Sequence, residues 1–393
     1  MPDNRSSHAP RIAIVGAGIG GLCLAACLRR IGVRADVFEQ APRFARIGAG
    51  IMLAPNAVNI LNAIGVREHL EPTSVTLTTL QNRAWDSGEP MFDLELGAAA
   101  EQRYGAPFLL AHRGDLHAAL LRVVPPEAIH PGRELVGICP LDDRVELRFA
   151  DGSAGSFDAV IGADGVHSVV RRSLFTTSPP SFTGRIAYRA VFDSALLADR
   201  GLAPEVGPST KWWGPDRHIV IYYVSGGAEV YFTTSVPDDT WTTESWSAEG
   251  SMDELRAEFE GFHPQVQAVL AACPRVNKWA LYDRDPLPGW STGRVALLGD
   301  AAHPMTPFMA QGAATSMEDA AVLSRCLGEA GPENFATAFA WYESVRQQRT
   351  ARIQAISRSN TWLRERTDPS EVYGYDAWSV PFGDSAGLES SLT

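Results

Sequence analysis

Residues 11–39 read RIAIVGAGIGGLCLAACLRRIGVRADVFE, and the fold follows from them. Ile12 to Val15 is an apolar run of the length of a buried parallel strand. It empties into Gly16-Ala17-Gly18-Ile19-Gly20-Gly21, a G-x-G-x-x-G turn. Leu22 to Arg30 has the pattern of a helix that Gly32 stops, and Arg34 to Phe38 makes a second strand ending on Glu39. Gly16 permits the tight turn, Gly18 lets a pyrophosphate approach the backbone, and Gly21 lets helix and strand pack closely. The helix N-terminus leaves its first N–H groups for the phosphates. Glu39, 23 residues past Gly16, can accept hydrogen bonds from an adenosine ribose and repels a 2′-phosphate, which disfavours NADP at this site. The same run is not a membrane span or a signal sequence. Four glycines interrupt residues 12–28, a span of ~20 apolar residues is lacking, and Met1 to Pro10 has no basic lead-in.

The rest of the chain is long enough for two or three domains of ~150 residues. Apolar residues make up 45% of it, so a large core is within reach. A net charge of −12 argues against nucleic acid and anionic membrane surfaces as partners. The five cysteines, Cys23, Cys27, Cys139, Cys273 and Cys326, are scattered, and none forms C-x-x-C. No metal site is expected, and a reduced, cytoplasmic protein fits best.

Past Glu39 a glycine-rich turn, Arg46 to Ile51, leads to a helix expected from Asn56 to Leu70. Residues 75–104 look irregular and strand-like. Asp115 is a plausible cap for a helix from Leu116 to Val123. Val145 to Phe149 and Asp158 to Ile161 read as strands around the turn Asp151-Gly152, the second ending in Gly162-Ala163-Asp164-Gly165. From Gly184 to about residue 280 the texture becomes alternating, β-branched and aromatic. Ile186 to Val191, Ile219 to Val224 and Val230 to Val236 read as antiparallel strands. Trp212, Trp213, Tyr222, Tyr223, Tyr231, Trp241 and Trp246 give this region enough aromatic area to roof a flat organic ligand, although ordinary sheet packing accounts for most of them.

The α/β texture then returns. Arg294 to Leu298 is a buried strand ending in Gly299-Asp300, and helices are expected from Gly312 to Leu327 and from Phe335 to Leu363. The fold class is therefore α/β: a discontinuous Rossmann-like nucleotide domain (10–74, 105–183 and 281–330), an inserted antiparallel-sheet substrate domain (75–104 and 184–280), and a helical C-terminal tail (331–393). An acid at the end of a buried strand points into the crevice where doubly wound folds bind ligands. Asp300 is thus placed to hold hydroxyls of a polyol chain, which FAD has as ribityl and NAD lacks. Pro307 and Gln311-Gly312 open the following helix, whose positive end suits the negative charge of a reduced flavin ring.

Taken together, Gly16-x-Gly18-x-x-Gly21 with Glu39, Asp164-Gly165, and Gly299-Asp300-Ala301-Ala302-His303-Pro304 resemble the single-component flavoprotein aromatic hydroxylases over residues 10–365. The resemblance implies a p-hydroxybenzoate-hydroxylase-like fold and non-covalent FAD, reduced by NADH or NADPH without a separate nicotinamide domain. O2 is the co-substrate, activated as a flavin C4a-hydroperoxide. It further implies FAD contacts at Gly16, Gly18, Gly20, Gly21, Glu39, Gln40, Arg46, Arg113, Leu135, Asp164, Asp300, Pro307, Gly312 and Ala313. The middle and tail are similar to the branch of 6-hydroxynicotinate 3-monooxygenases, in Lys211-Trp212-Trp213, Asp216-Arg217-His218, Tyr222-Tyr223, Met309-Ala310-Gln311-Gly312-Ala313 and Asn360-Thr361-Trp362-Leu363. That likeness implies hydroxylation, with loss of CO₂ as one outcome and phenolic hydroxylation without decarboxylation as the other.

By the same likeness, His218 and Tyr222 line the substrate site and are the catalytic candidates; four apart in a strand, they share a face. Met52, Ser209 and Phe308 are further substrate-facing positions, and they depart from that branch, which has histidine, cysteine and histidine there. The implied partner is a small aromatic or pyridine carboxylate in a less polar pocket, bound by a monomer or homodimer. A flavin halogenase is disfavoured, because Lys278-Trp279-Ala280-Leu281-Tyr282 does not supply that family's W-x-W-x-I-P segment. A flavin-bearing sensor without turnover is the remaining alternative.

Overall fold

The structure is a computed structural model describing residues 10–46, 49–198, 207, 209–243, 248–331 and 333–382. Trp246, residues 47 and 48 of the Arg46 to Ile51 turn and the last eleven residues of the tail fall outside the described residues. Ile12–Val15 sits inside a six-stranded sheet ordered Ser291–Thr292, Val295–Leu297, Ala159–Gly162, Ile12–Val15, Ala35–Glu39, Ile129–Pro131. Every pairing is parallel except the one at the Ser291–Thr292 edge. All four residues of Ile12–Val15 are buried, which is why the run reads as continuously apolar.

The helix Ile19–Arg30 begins three residues earlier than its apolar pattern suggests, with Gly18 at its N-cap. Its glycines are required by contact. A Cβ on Gly21 would lie 2.0 Å from the Gly16 carbonyl oxygen, and one on Gly16, at φ +106°, would lie 2.3 Å from that of Ala163.

Val145–Phe149 does turn at Asp151-Gly152, but it pairs with Ala154–Phe157 and Leu135–Pro140 in a small separate sheet. Ala159–Gly162, shifted one residue from expectation, joins the parallel sheet instead. The expected helix from Asn56 to Leu70 is two, Pro55–Ala63 and Arg67–Leu70, because Gly65 turns to φ +73° between them. Asp115 is not the cap of the next helix, Arg113–Val123. The His112 ring accepts the Gly114 N–H there, and Asp115 is held by Arg46.

The aromatic stretch forms an eight-stranded sheet in the order Glu249–Gly250, Val276–Asp283, Ser181–Asp193, Glu229–Pro237, His218–Val224, Ser209–Trp213, Thr79–Ala84, Pro90–Glu95. The three expected strands are there as antiparallel neighbours. Residues 75–104 are more regular than they read. They supply the last two strands of this sheet, the short strand Val75–Thr76 of another, and the helix Gly97–Tyr104, closed by Gly105 at φ +82°. The strand period is hidden in Thr79–Ala84 because a polar residue, Asn82, takes a buried position.

One face of the large sheet carries the helices Met252–Glu258 and Pro264–Ala272 over Trp212, Ile219 and Phe232, with Leu255 and Val266 facing down from the helices into the same core. Its other face looks toward the parallel sheet. Between them runs a third sheet, Gly50–Leu53, Leu109–His112 and Val75–Thr76. Gly312–Ala330 packs on Ile19–Arg30, and Phe335–Ser359 packs on Gly312–Ala330, ending at Asn360 in left-handed backbone rather than at Leu363. Among the described residues no helix is long and apolar enough to cross a membrane, no acidic or His/Cys cluster could hold a metal, and all five cysteines are free thiols.

Candidate active site

A cavity of about 410 Å³ lies between the parallel sheet and the eight-stranded sheet. On the parallel-sheet side it is bounded by Gly18, Ile19 and Gly20 at the start of the first helix, and by Ala163 and Gly165 at the end of a neighbouring strand. That helix has no side-chain cap and no acid in its first turn, so its leading N–H groups remain available to an anion. Gly18 faces open space, where backbone can meet a ligand directly.

Glu39 accepts the N–H groups of Ala17 and Ala41, each at 2.9 Å. A carboxylate offers ~4 acceptor positions, so the ribose role keeps room beside these bonds. Asp164 accepts Val169 N–H at 2.7 Å through one oxygen while the other is buried without a partner. Burial pushes its carboxyl up, against its bonds to Ser168 and nearby amides.

Further along the same wall, Arg113 and Asp300 both reach the cavity. Asp300 opens onto the empty space, yet protein surrounds it on its other sides. Burial raises its pKa, opposed by His303, Arg113 and Arg171. Pro307, Gly312 and Ala313 continue the wall, and the helix Gly312–Ala330 also begins without a side-chain cap or an acid in its first turn. Two open helix N-termini, a tight glycine turn and an acid at the strand end fit the phosphates, ribityl and ring edge of FAD.

Seven implied FAD residues are not in the cavity wall: Glu39 and Asp164, described above, and Gly16, Gly21, Leu135, Gln40 and Arg46. Gly16 and Gly21 act through the turn behind it, while Leu135 packs its side chain into the core and Gln40 is exposed. Arg46 is committed to ion pairs with Asp115 at 2.9 Å and Glu229 at 2.6 Å.

The opposite wall is the inner face of the eight-stranded sheet. Because strand side chains alternate, His218, Val220 and Tyr222 all face the cavity, as their spacing predicts. Register sets the rest in rows across the sheet. One row is Ser209, Tyr222, Tyr231; the next is Lys211, Val220, Thr233, Arg189; the third is Trp213, His218, Ser235. Tyr222 and Tyr231 meet edge to face at 5.0 Å, and His218 meets Phe308 the same way at 5.8 Å. Gly50 lets the third sheet close on the tyrosines, since a Cβ there would lie 2.4 Å from the Tyr231 ring and 2.7 Å from the Tyr222 hydroxyl.

Met52 and Phe308 line the cavity as apolar wall. Ser209 does not: it is fully buried beside Tyr222, and its hydroxyl has no partner. Of the aromatic residues picked out in the sequence, Tyr222 and Tyr231 border the cavity, whereas Trp212 and Trp241 pack on the far face.

Two cations in this wall escaped the reading of the sequence. Lys211 is 7% exposed and sits 3.9 Å over the Trp213 ring; Arg189 is 8% exposed and sits 3.9 Å over the Trp279 ring. Burial lowers Lys211 to about 7 and Arg189 to about 10. Each is the single charge inside an otherwise uncharged strand segment, Ser-Thr-Lys-Trp-Trp and Ile-Ala-Tyr-Arg-Ala-Val, and that was the available signal. Burial, then the charges of Lys211, Arg185 and Arg364, hold His218 well below its ordinary value, so it is neutral. Burial drives Tyr222 well above its ordinary value, so it stays protonated.

Comparison with known proteins agrees with this geometry. Residues 10–357 match the family described as FAD binding domain. The chain is 44% identical over 376 residues to 6-hydroxynicotinate 3-monooxygenase of Pseudomonas fluorescens, covering 95% of this chain and 97% of that one. It is 39% identical over 394 residues to 3-amino-4-hydroxybenzoate 2-monooxygenase PtnB3 of Streptomyces platensis, covering 95% and 98%. In three dimensions it matches Klebsiella pneumoniae HpxO complexed with FAD and uric acid, with a TM-score of 0.80 at 28% identity over 99% of this chain and 93% of that one.

Proposed function

The chain belongs to the FAD-binding flavoprotein monooxygenases, and from that premise we propose that it hydroxylates a small hydroxylated aromatic carboxylate in an NAD(P)H- and O2-dependent reaction. The observation that carries this reading is the sheet wall. It holds two buried cations, Lys211 and Arg189, while the carboxylate of Asp300 reaches the cavity from the opposite wall. Burying a cation is costly, and an anionic ligand compensates the charge of Lys211, which no described carboxylate offsets. A guanidinium matches a carboxylate in two-point geometry, so Arg189 is assigned the substrate carboxylate.

Bound FAD supplies the oxygen-activating chemistry; the protein binds, orients and excludes water. Gly18 to Gly20, Glu39, Arg113, Asp164 and Asp300 would hold the dinucleotide and ribityl chain, and the helix N-terminus at Gly312-Ala313 would receive its ring. His218 and Tyr222 border the substrate, with His218 the neutral partner for a proton in transit. Met52 and Phe308 make the wall apolar where 6-hydroxynicotinate 3-monooxygenases resemble this chain but carry histidine. This favours a carbocyclic ring over a pyridine. The acidic surface and unpaired cysteines support a cytoplasmic enzyme that acts on a small molecule and not on nucleic acid.

The test is NADH oxidation with O2 uptake across hydroxylated benzoates and hydroxypyridine carboxylates, with mass spectrometry for lost CO₂. A hydroxybenzoate is expected to stimulate oxidation and to return as a coupled, oxygenated product. Stimulation by no compound would favour a sensor. Tight coupling with 6-hydroxynicotinate alone would sink the carbocyclic assignment.

A further inference from the structure

The titratable groups on the sheet wall differ in what they can do with a proton. Tyr282 donates its hydroxyl to the Thr242 carbonyl at 2.9 Å. Tyr222 and Tyr231 are pushed up by burial and keep theirs. Arg189, though lowered to about 10, remains cationic at neutral pH and cannot accept one. His218 is neutral but pushed down, which makes it a weak base. Asp300 lies on the opposite wall, at the flavin seat. That leaves Lys211.

Lys211 comes from the strand Ser209–Trp213 and looks into the cavity from the same row as Val220, beside His218. Its surroundings are unusual for a lysine. The face of Trp213 supports it, Asn82 lies across from it on the neighbouring strand and is spent on Trp213, and Arg364 approaches the same indole at 5.8 Å. The other titratable groups near it are His218 and Tyr222 on the adjoining strand, with Arg189 across the wall. All are neutral or cationic, and no described carboxylate offsets its burial.

Resting on the aromatic-carboxylate reading above, we propose that Lys211 is a catalytic residue: its amine takes the proton of the substrate's ring hydroxyl and then holds the ionised ring oxygen as an ion pair. One O–H bond breaks and one N–H bond forms on the Nζ lone pair. No electrons are transferred, and the ammonium and the ionised ring oxygen form together, each the other's counter-ion. The ring gains the electron density that attack by an electrophilic oxygen needs. A base is most effective with a pKa near the working pH, and burial alone brings Lys211 to about 7. Arg189 fixes the far end of the ligand without changing its charge.

The experiment titrates FAD-loaded enzyme with 4-hydroxy-3-nitrobenzoate, whose ionised ring oxygen gives a visible band independent of turnover. On wild type the band is expected at pH values where the free probe is still mostly protonated. Lys211→Met should abolish that shift while retaining FAD. Lys211→Arg, a fixed cation that cannot accept a proton, should keep the probe ionised on binding. With whichever hydroxybenzoate the panel selects, Lys211→Met should lower kcat/KM on the order of 10²-fold or more, and should remove the rise in kcat/KM through about pH 7. An unchanged band and pH profile in Lys211→Met, or loss of the band in His218→Gln instead, would overturn the role of Lys211 and leave the function standing. Failure of wild type to bind the probe or respond to any panel compound would overturn the aromatic-carboxylate reading, and this proposal with it.

Discussion

At the scale of single residues the two cavity walls separate by task. Asp300 and His218 face each other across the same space but belong to different walls, so their substitutions should fail differently. Asp300→Ala removes the acid at the strand end, and the purified protein is expected largely free of FAD; a fully yellow variant would contradict the ribityl assignment. His218→Ala leaves that wall untouched. It should slow product formation at least tenfold more than it weakens FAD binding, read by flavin fluorescence titration beside turnover. Equal losses would argue that His218 is only a packing residue held between Trp213 and Phe308.

At the scale of elements the segment bearing Asp300 is fixed by a buried charge network and not by its own sequence. Asp319, inside Gly312–Ala330, accepts Gly299 N–H at 3.0 Å and meets His303 at 2.6 Å and Arg346 of Phe335–Ser359 at 2.7 Å. Glu318 next to it binds Arg346 at 2.8 Å, Arg349 at 2.9 Å and Asn56 at 2.7 Å. Burial pushes Asp319 up, but His303 and Arg346 outweigh it and hold it at about 2. A carboxyl depressed from its ordinary value in the folded state stabilises above that value and loses the contribution as pH falls toward 2. The window is therefore about pH 4 to 2, and the size is on the order of 2–3 kcal/mol. Asp319→Asn should cost ~3–5 kcal/mol at pH 7, because it leaves Arg346 undercompensated in the core. Its stability should also fall less steeply than wild type between pH 5 and 2 in denaturant titrations. Parallel acid limbs would refute this.

At the scale of the whole molecule, the cavity proposed for FAD lies where the chain's separate passages through the parallel sheet converge. Turns after Ile12–Val15, Ala159–Gly162 and Val295–Leu297 all border one cavity, and these strands are neighbours in the sheet although distant in sequence. A ligand bound only by this assembled state stabilises it by mass action, by about 4 kcal/mol at a thousandfold excess over Kd. Stripping FAD should lower Tm by several degrees, and readdition should restore it in a concentration-dependent way. A Tm indifferent to FAD would mean that the turns do not share one ligand.

The nucleotide turn, the acid after the second strand and the Gly299-Asp300 strand end were all readable in the sequence, because each acts within about one turn of chain. Glycine spacing fixes a loop, an open helix start fixes an anion site, and a buried strand declares itself by an apolar run. The common face of His218 and Tyr222 was legible for the same reason, since it depends only on the period of one strand. What the sequence could not decide was which strands become neighbours. Lys211 and Arg189 enter one row only through the pairings of Ser209–Trp213, His218–Val224, Glu229–Pro237 and Ser181–Asp193. The same pairings leave Ser209 buried beside Tyr222 and out of the cavity lining it was expected to join, and Asp319 gains its depressed pKa from a histidine and an arginine on other segments. Local chain geometry determined the cofactor and the fold class; non-local pairing and burial, which set the register and the dielectric around each charge, decided which side chains meet the substrate.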